Sequence, residues 1–393
     1  MTQFSNTFND FKTRSVRVGS DADPINGSVI PGIFQTSTYV QSSPGVDKGF
    51  DYTRCKNPTR QNLESCLASL EESKYCLASS SGLGAITTVL NLLKKGANII
   101  CGNDVYGGTY RLLATIFEDR YNVKWVDTTD VNNIIKACKE FNGKVDLFWA
   151  EAVSNPLLRI TDIQKAAEIA KANGAIVCVD STFLTPYLQQ PLKLGADIVI
   201  HSLTKYINGH SDVVAGGIFT NSKELYDKLY YIQKTLGPSL SPFDSWLILR
   251  GVKTLSIRMD AHQQNAKTLA EFLQGHSKIE KVLYPGLSSH KNYETLKSQT
   301  SKHFIGGGMI SFYVKGGDAS ARKLLENLKI FQIAESLGGI ESLGCIPALM
   351  THASVPEAIR NANGITNNLI RLSVGIEGVD DIVNDLKSGL DLI

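Results

Sequence analysis

Between about residue 65 and residue 250, short apolar runs alternate with stretches of helical periodicity. The runs are YCLAS at 75–79, NIICG at 98–102, VKWVD at 123–127, DLFWA at 146–150, AIVCVD at 175–180 and DIVIHS at 197–202. Runs of five or six residues that are apolar almost throughout predict strands covered on both faces, and helices between them predict parallel βαβ crossovers. After about residue 255 the pattern changes. An amphipathic stretch over 258–274 leads into segments of stronger alternation, GGMISFYVKG at 307–316 and NLIRLSVGIE at 368–377, and the chain closes on the helical pattern DDIVNDLKSGLDLI. This predicts a smaller C-terminal α+β domain with a partly antiparallel sheet. The first fifty residues have little periodicity and many Gly, Pro, Ser and Thr, which predicts an extended arm packed on a partner subunit. The expected organisation is an N-terminal arm over 1–60, a large domain over 61–255 and a small domain over 256–393.

Composition narrows the function classes. A chain of 393 residues that is 42% apolar can bury a large core, which excludes disorder as its main state. Forty basic against 38 acidic residues leave a net charge of +2, with both signs scattered, so no nucleic acid or anionic membrane partner is called for. No apolar run reaches the roughly 18 residues of a membrane helix, and the first twenty residues lack the apolar core of a secretory signal. A cytoplasmic location is expected. Seven widely spaced cysteines, at 55, 66, 76, 101, 138, 178 and 345, form no C-x-x-C pair, so reduced and mostly buried thiols are expected, with no metal site.

In open α/β sheets ligands bind beyond the carboxyl ends of the strands, so the residues just after each run carry the chemistry. After Ser79 come Ser80, Ser81, Gly82, Leu83 and Gly84 and then a helical pattern, a start whose free N–H groups can hold a phosphate. The run at 146–150 is followed by Asn155 and Pro156, the next delivers Asp180, and the run at 197–202 delivers Ser202, Thr204 and Lys205. A lysine directly after a buried strand is costly unless paired or used, and desolvation lowers its pKa toward that of a good nucleophilic amine. An anion site, a carboxylate and an amine at three strand ends are the parts pyridoxal 5'-phosphate needs. A nicotinamide site would want G-x-G-x-x-G after the first strand, and SSSGLGA does not supply it. His201 and His210 lack paired ligand spacing and are expected to be structural.

Several segments also resemble a known family. FDYTRCKNPTR (50–60), SSGL (80–83), DVYGGTYR (104–111), SNP (154–156), HSLTKYINGHSDVVAG (201–216), ESLGGIESL (335–343), MTHAS (350–354) and IRLSVGIE (370–377) are similar to the cystathionine γ-lyase and γ-synthase group of the Cys/Met-metabolism PLP-dependent enzymes. The resemblance runs from about residue 12 to the C-terminus. It implies a fold type I, aminotransferase-like α/β architecture, with a mostly parallel seven-stranded sheet in the large domain plus the smaller C-terminal α+β domain, and a homotetramer built as a dimer of dimers. It implies Lys205 as the Schiff-base lysine, Asp180 as the partner of the pyridine nitrogen and Tyr106 as the residue stacked on the ring. The phosphate falls to Ser81, Gly82, Leu83, Ser202 and Thr204, with Tyr52 and Arg54 reaching in from the neighbouring subunit, and Asn155 and Thr182 complete the cofactor set. Arg371 matches the clamp on the substrate carboxylate, assisted by Asn155, Ser342 and Tyr52, while Arg111 and Glu341 line the distal pocket.

The activity so implied is α,γ-elimination of L-cystathionine to L-cysteine, 2-oxobutanoate and ammonia, a transsulfuration step of cysteine biosynthesis, with hydrogen sulfide release from cysteine as a side activity. Cystathionine γ-synthase is the alternative. Two motifs depart from the family pattern: Asp180-Ser181-Thr182 stands where D-N-T is usual, and Ala152-Val153-Ser154-Asn155-Pro156 where T-P-[ST]-N-P is common. Gly108 stands where methionine γ-lyases resemble one another in carrying cysteine, which speaks against methionine cleavage.

Overall fold

The computed structural model describes residues 8–393. Its strands are β1 (Tyr75–Ser79), β2 (Ala97–Gly102), β3 (Tyr121–Val126), β4 (Leu147–Glu151), β5 (Ile176–Asp180), β6 (Ile198–Ser202), β7 (Gly216–Thr220), β8 (Ile279–Leu283), β9 (Met309–Val314), β10 (Gln332–Ile333), β11 (Leu343–Cys345) and β12 (Leu369–Ser373). The chain packs as two units. Residues up to Lys94 join Asp197–Ser256 in one, and Lys95–Ala196 join Ile257–Ile393 in the other.

In the first unit the strands lie in the order β1-β7-β6, with β7 antiparallel to both neighbours. Six of the apolar runs are strands, as their pattern predicts; β7 has no counterpart among them. Its two leading glycines conceal it, and packing explains them. A Cβ on Gly216 would lie 2.4 Å from the carbonyl oxygen of Ser81, and one on Gly217 would lie 2.8 Å from the Phe219 ring. No helix separates β6 from β7, so the return strand pairs antiparallel, whereas a parallel neighbour would need a crossover. The helix Pro58–Glu71 starts on an Asn57 cap with proline in its first turn. Residues 21–54 of the arm are largely exposed, with Ile25, Val29, Ile30, Phe34 and Val40 among the exposed apolar side chains. The arm is tied to the Pro58 helix where Thr59 Oγ1 accepts the Phe34 N–H at 2.9 Å and Asn57 Nδ2 donates to the Phe34 carbonyl at 2.9 Å.

In the second unit β5-β4-β2-β3 are parallel throughout, as the βαβ pattern predicts. A separate five-stranded sheet, β10-β11-β12-β9-β8, is antiparallel except at β10–β11. Its core joins Ile310, Phe312 and Val314 of β9 to Leu369, Ile370 and Leu372 of β12. The helix Val379–Asp391 closes it with Ile382, Leu386 and Leu390 at four-residue spacing. Burying each such side chain stabilises by roughly 1.5–3 kcal/mol, and truncating Phe312 to alanine would cost about 3–5 kcal/mol. The alternation of β9 and β12 does not face water on its polar side. Ser311, Arg371 and Ser373 are all buried, and each is bonded: Ser311 Oγ donates to the Pro156 carbonyl at 2.6 Å, and Ser373 Oγ accepts the Gly338 N–H at 2.8 Å.

Candidate active site

The first unit carries the anion-binding features. Ser81 has extended backbone and caps the helix Gly82–Leu90, its Oγ accepting the Gly84 N–H at 2.9 Å while its carbonyl takes the Ala85 N–H at 3.1 Å. The N–H groups of Gly82 and Leu83, at the first two helical positions, therefore have no acceptor within the helix, and the helix dipole adds positive potential there. A Cβ on Gly82 would stand 3.3 Å from Ser202 Oγ, so glycine keeps open a cradle between the helix start and the end of β6. Beyond Ser202, the segment bearing Lys205 leaves and rejoins the sheet at one neck. Thr204 Oγ1 accepts the Ala215 N–H at 2.8 Å and donates to the Ala215 carbonyl at 3.1 Å, and the Thr204 N–H reaches that carbonyl at 3.3 Å. The Lys205 carbonyl accepts the Gly209 N–H at 2.8 Å, which turns the chain straight after the lysine.

Tyr52 and Arg54 lie elsewhere in that unit. The Arg54 guanidinium sits 5.4 Å from the Tyr52 ring centre and donates to the Lys234 carbonyl, and both residues line a cavity of about 440 Å³ with Gln35, Thr53, Arg60 and Ser239. His201 is fully buried against Glu71, Nε2 to Oε2 at 2.8 Å, the structural placement its spacing predicts.

The second unit carries the carboxylate-recognition features. Arg371 is 2% exposed; its Nη1 donates to Asn155 Oδ1 at 2.7 Å and its Nη2 to the Ser336 carbonyl at 2.9 Å, while Nε has no hydrogen-bond partner. The guanidinium is oriented by two neutral acceptors, so its positive charge remains for an anion. Ser342 is buried and held by Glu377, which accepts its N–H at 2.7 Å and its hydroxyl at 2.8 Å, while Ser342 Oγ accepts the Gly375 N–H at 2.9 Å. Glu341, on the same loop, is exposed. Arg111 donates to Ser354 Oγ at 3.2 Å. Asp180, at the end of β5, accepts the Thr182 N–H at 2.9 Å and the Thr182 hydroxyl at 2.5 Å. Tyr106 precedes the helix Gly107–Arg111 with its side chain exposed, and a Cβ on Gly107 would meet the Thr351 carbonyl at 2.5 Å. The Asn155, Arg371 and Ser336 group is thus assembled within one unit, as are Ser81, Gly82 and Ser202 in the other.

The profile of the Cys/Met metabolism PLP-dependent enzymes matches residues 12–391. This chain belongs to that family. A cystathionine gamma-lyase of Dictyostelium discoideum is 47% identical over 388 residues, 98% of each chain. A cystathionine beta-lyase of Lactococcus lactis subsp. cremoris (strain MG1363) is 47% identical over 380 residues, covering 97% of this chain and 98% of the relative. The crystal structure of a cystathionine gamma synthase from Xanthomonas oryzae pv. oryzae, in complex with aminoacrylate and cysteine, superposes with a TM-score of 0.94 at 41% identity over 98% of both chains. The α/β architecture expected from the resemblance is therefore that of this chain, and pyridoxal phosphate is its cofactor.

The residues present fit that group. The cradle kept open at Gly82 suits a phosphate, and Ser202 and Thr204 add hydroxyls to the same unit. The departures from the family motifs are absorbed locally: Ser181 Oγ donates to Gln189 Oε1 at 3.3 Å, and Ala152 and Val153 are buried. Ser154, which fits the pattern, bonds Asp104 through its Oγ and accepts the Arg159 N–H at 2.9 Å.

Two residues close to this machinery escape a reading of run ends. His352 is buried, its Nε2 3.3 Å from the Val105 carbonyl and its Nδ1 2.9 Å from Thr351 Oγ1; burial pushes its pKa down to about 4, and Arg371 adds to the effect. Glu151 closes β4, and the burial of its carboxyl together with the neighbouring charge of Asp180 pushes its pKa well up. Glu151 is the first residue after the run at 146–150, and Asn155 and Pro156 drew attention past it.

Proposed function

We propose that this enzyme cleaves L-cystathionine by α,γ-elimination: cystathionine and water give L-cysteine, 2-oxobutanoate and ammonia. The observation that carries an amino-acid substrate is the buried Arg371, oriented on two sides by the neutral acceptors Asn155 Oδ1 and the Ser336 carbonyl. Glu341 carries the preference for a substrate with a distal ammonium, since it stands exposed on a loop that Glu377 pins at the adjacent Ser342. The similarity to a cystathionine gamma-lyase over nearly the whole chain supports the same reading.

When bound, the cofactor ring supplies an electron sink for negative charge at the substrate Cα. Arg371 grips the substrate carboxylate, with Asn155 and Ser342 beside it, and thereby fixes which Cα substituent faces the base. Lys205 Nζ removes the Cα proton, and a second proton leaves Cβ before the Cγ–S bond breaks. Tyr106 would face the ring and offer a phenol to the departing sulfur, while Asp180, oriented by Thr182, would keep the ring nitrogen protonated. Ser81, Gly82, Leu83, Ser202 and Thr204 would hold the phosphate. Arg111 lines the distal pocket.

Tyr52 and Arg54 act on the phosphate of a neighbouring subunit in a homotetramer made of two dimers. The apolar side chains exposed along the arm support that assembly. The arm over 1–60, the large domain over 61–255 and the small domain over 256–393 are the functional divisions of the chain in this reading, and its place is the cytoplasm. No helix among the described residues is long and apolar enough to cross a membrane.

Product analysis with PLP-loaded protein and L-cystathionine alone tests the proposal. Cysteine with 2-oxobutanoate is the expected result. Homocysteine with pyruvate would establish β-elimination instead, and no cleavage, followed by cystathionine formation from cysteine and an acylated homoserine, would establish γ-synthase activity.

A further inference from the structure

Strand β4 ends on a glutamate to which the reading above gives no task. Glu151 is only 7% exposed. Its Oε1 accepts the Tyr106 N–H at 2.6 Å, and its Oε2 accepts the Asn155 N–H at 3.1 Å. Those two N–H groups belong to residues with separate duties, the ring beside the cofactor and the carboxamide that receives Arg371 at 2.7 Å. The β4–β5 register also places Glu151 directly beside Asp180.

Serving two buried amides does not by itself require a carboxylate. A carboxyl group next to a second carboxyl and away from water is a costly way to do it, unless its placement matters. The Tyr106 carbonyl is tied into the helix after it by the Thr109 and Tyr110 N–H groups at 2.8 and 3.2 Å, but its side chain caps nothing and its ring is exposed, so the bond from its N–H to Glu151 is what ties it to β4. We propose that Glu151 is a positioning residue, one side chain that sets the backbone of Tyr106 and of Asn155 together and so couples the ring stack to the carboxylate clamp. The carboxyl groups facing it are Asp180 on β5 and Asp104 after β2. Burial first, and then the neighbouring Asp180 charge, push the Glu151 pKa well up.

The inference rests on the cofactor reading above, but not on which carbon–sulfur bond is broken. Its test compares Glu151→Ala and Glu151→Gln in the full-length, PLP-loaded protein. The visible circular dichroism of the bound cofactor reports ring placement, kcat and KM report turnover, and far-ultraviolet circular dichroism reports folding. The alanine variant is expected to lose most of the visible dichroic band and on the order of tenfold to a hundredfold in kcat. Glutamine, neutral and retaining one acceptor oxygen, is expected to recover a clear part of both. Parent-like band and kcat in the alanine variant overturn the proposal, and so does a glutamine variant no better than alanine. Should the alanine variant fail to fold, the glutamine variant decides alone: an intermediate band with a three- to tenfold lower kcat supports the proposal, and parent-like values overturn it. If cystathionine is not cleaved at all, the band still decides for Glu151.

Discussion

Replacing Arg371 with lysine keeps a positive charge at the end of a long side chain and removes the planar fork. In the parent, Nη1 and Nη2 are held by Asn155 and the Ser336 carbonyl at 2.7 and 2.9 Å, which orients the plane and leaves Nε as an unspent donor. A hydrogen bond to a charged group is worth about 1.5–3 kcal/mol, and a point ammonium retains roughly one of the two bonds an arginine makes with a carboxylate. The variant should therefore lose about 1.5–3 kcal/mol of substrate binding, a roughly 10- to 150-fold drop in kcat/KM. Weaker capture should raise KM, and because the grip also fixes which Cα substituent faces the base, part of the loss should fall on kcat. Steady-state kinetics with cystathionine check this, alongside a thermal melt, because Asn155 and Ser336 each lose a donor. A kcat/KM within threefold of the parent would refute the clamp. A loss confined to kcat would place Arg371 in the chemistry or the framework rather than in substrate capture.

Gly82→Ala should fill the cradle beside Ser202 and weaken PLP binding by tenfold or more in a fluorescence titration, with secondary structure retained; unchanged affinity would remove the phosphate from the helix start. Lys205→Ala should abolish turnover and, after borohydride reduction and denaturation, carry no covalently attached cofactor, whereas attachment at another residue would displace Lys205 from its role. The pH dependence of stability has a worked sign. Burial pushes His352 and His262 down to about 4 from the ordinary value near 6.5, so between pH 6.5 and 4 the unfolded chain binds protons that the folded chain refuses. Stability therefore falls with falling pH by up to about 3 kcal/mol per histidine. Asp104, which burial pushes up to about 6, works in the opposite direction between about pH 4 and 6 and offsets about 3 kcal/mol. Glu151 and Glu64, also pushed up by burial, add to that offset, so the histidine contribution is read by difference: His262→Gln should remove up to about 3 kcal/mol of the fall between pH 6.5 and 4 in urea unfolding, and an unchanged profile would contradict the burial argument.

Strands whose faces are both covered were legible, because a run such as DLFWA needs no partner to announce itself; all five residues of β4 are buried. β7 was illegible because its glycines answer to Ser81 and Phe219, neighbours that a linear pattern does not contain. Ser311, Arg371 and Ser373 alternate with apolar residues, a pattern that also fits a half-exposed sheet, and they are buried and bonded. Polarity along a strand reports that a side chain needs a partner and leaves open whether that partner is water. Asp180 could be singled out because it follows an unbroken apolar run. Glu151 satisfies the same condition one strand earlier, but its significance lies in the two amides it receives, and those come from Tyr106 and Asn155 at separations only the fold closes.

The neck formed by Thr204 and Ala215 has a consequence for motion. The ends of the excursion between β6 and β7 are already brought together by the Ser202–Gly216 register, so the entropy of closing it is charged to the sheet rather than to the loop. Lys205 stands one residue inside that neck, while Ser211, Asp212 and Val214 lie exposed farther along. Amide protons at Thr204 and Ala215 should consequently exchange as slowly as those of the strands, and those near the outer bend much faster. The amine inherits the stiffness of the β-sheet, and the outer bend is held to the turn after the lysine where Asn208 Nδ2 donates to Asp212 Oδ1 at 2.7 Å.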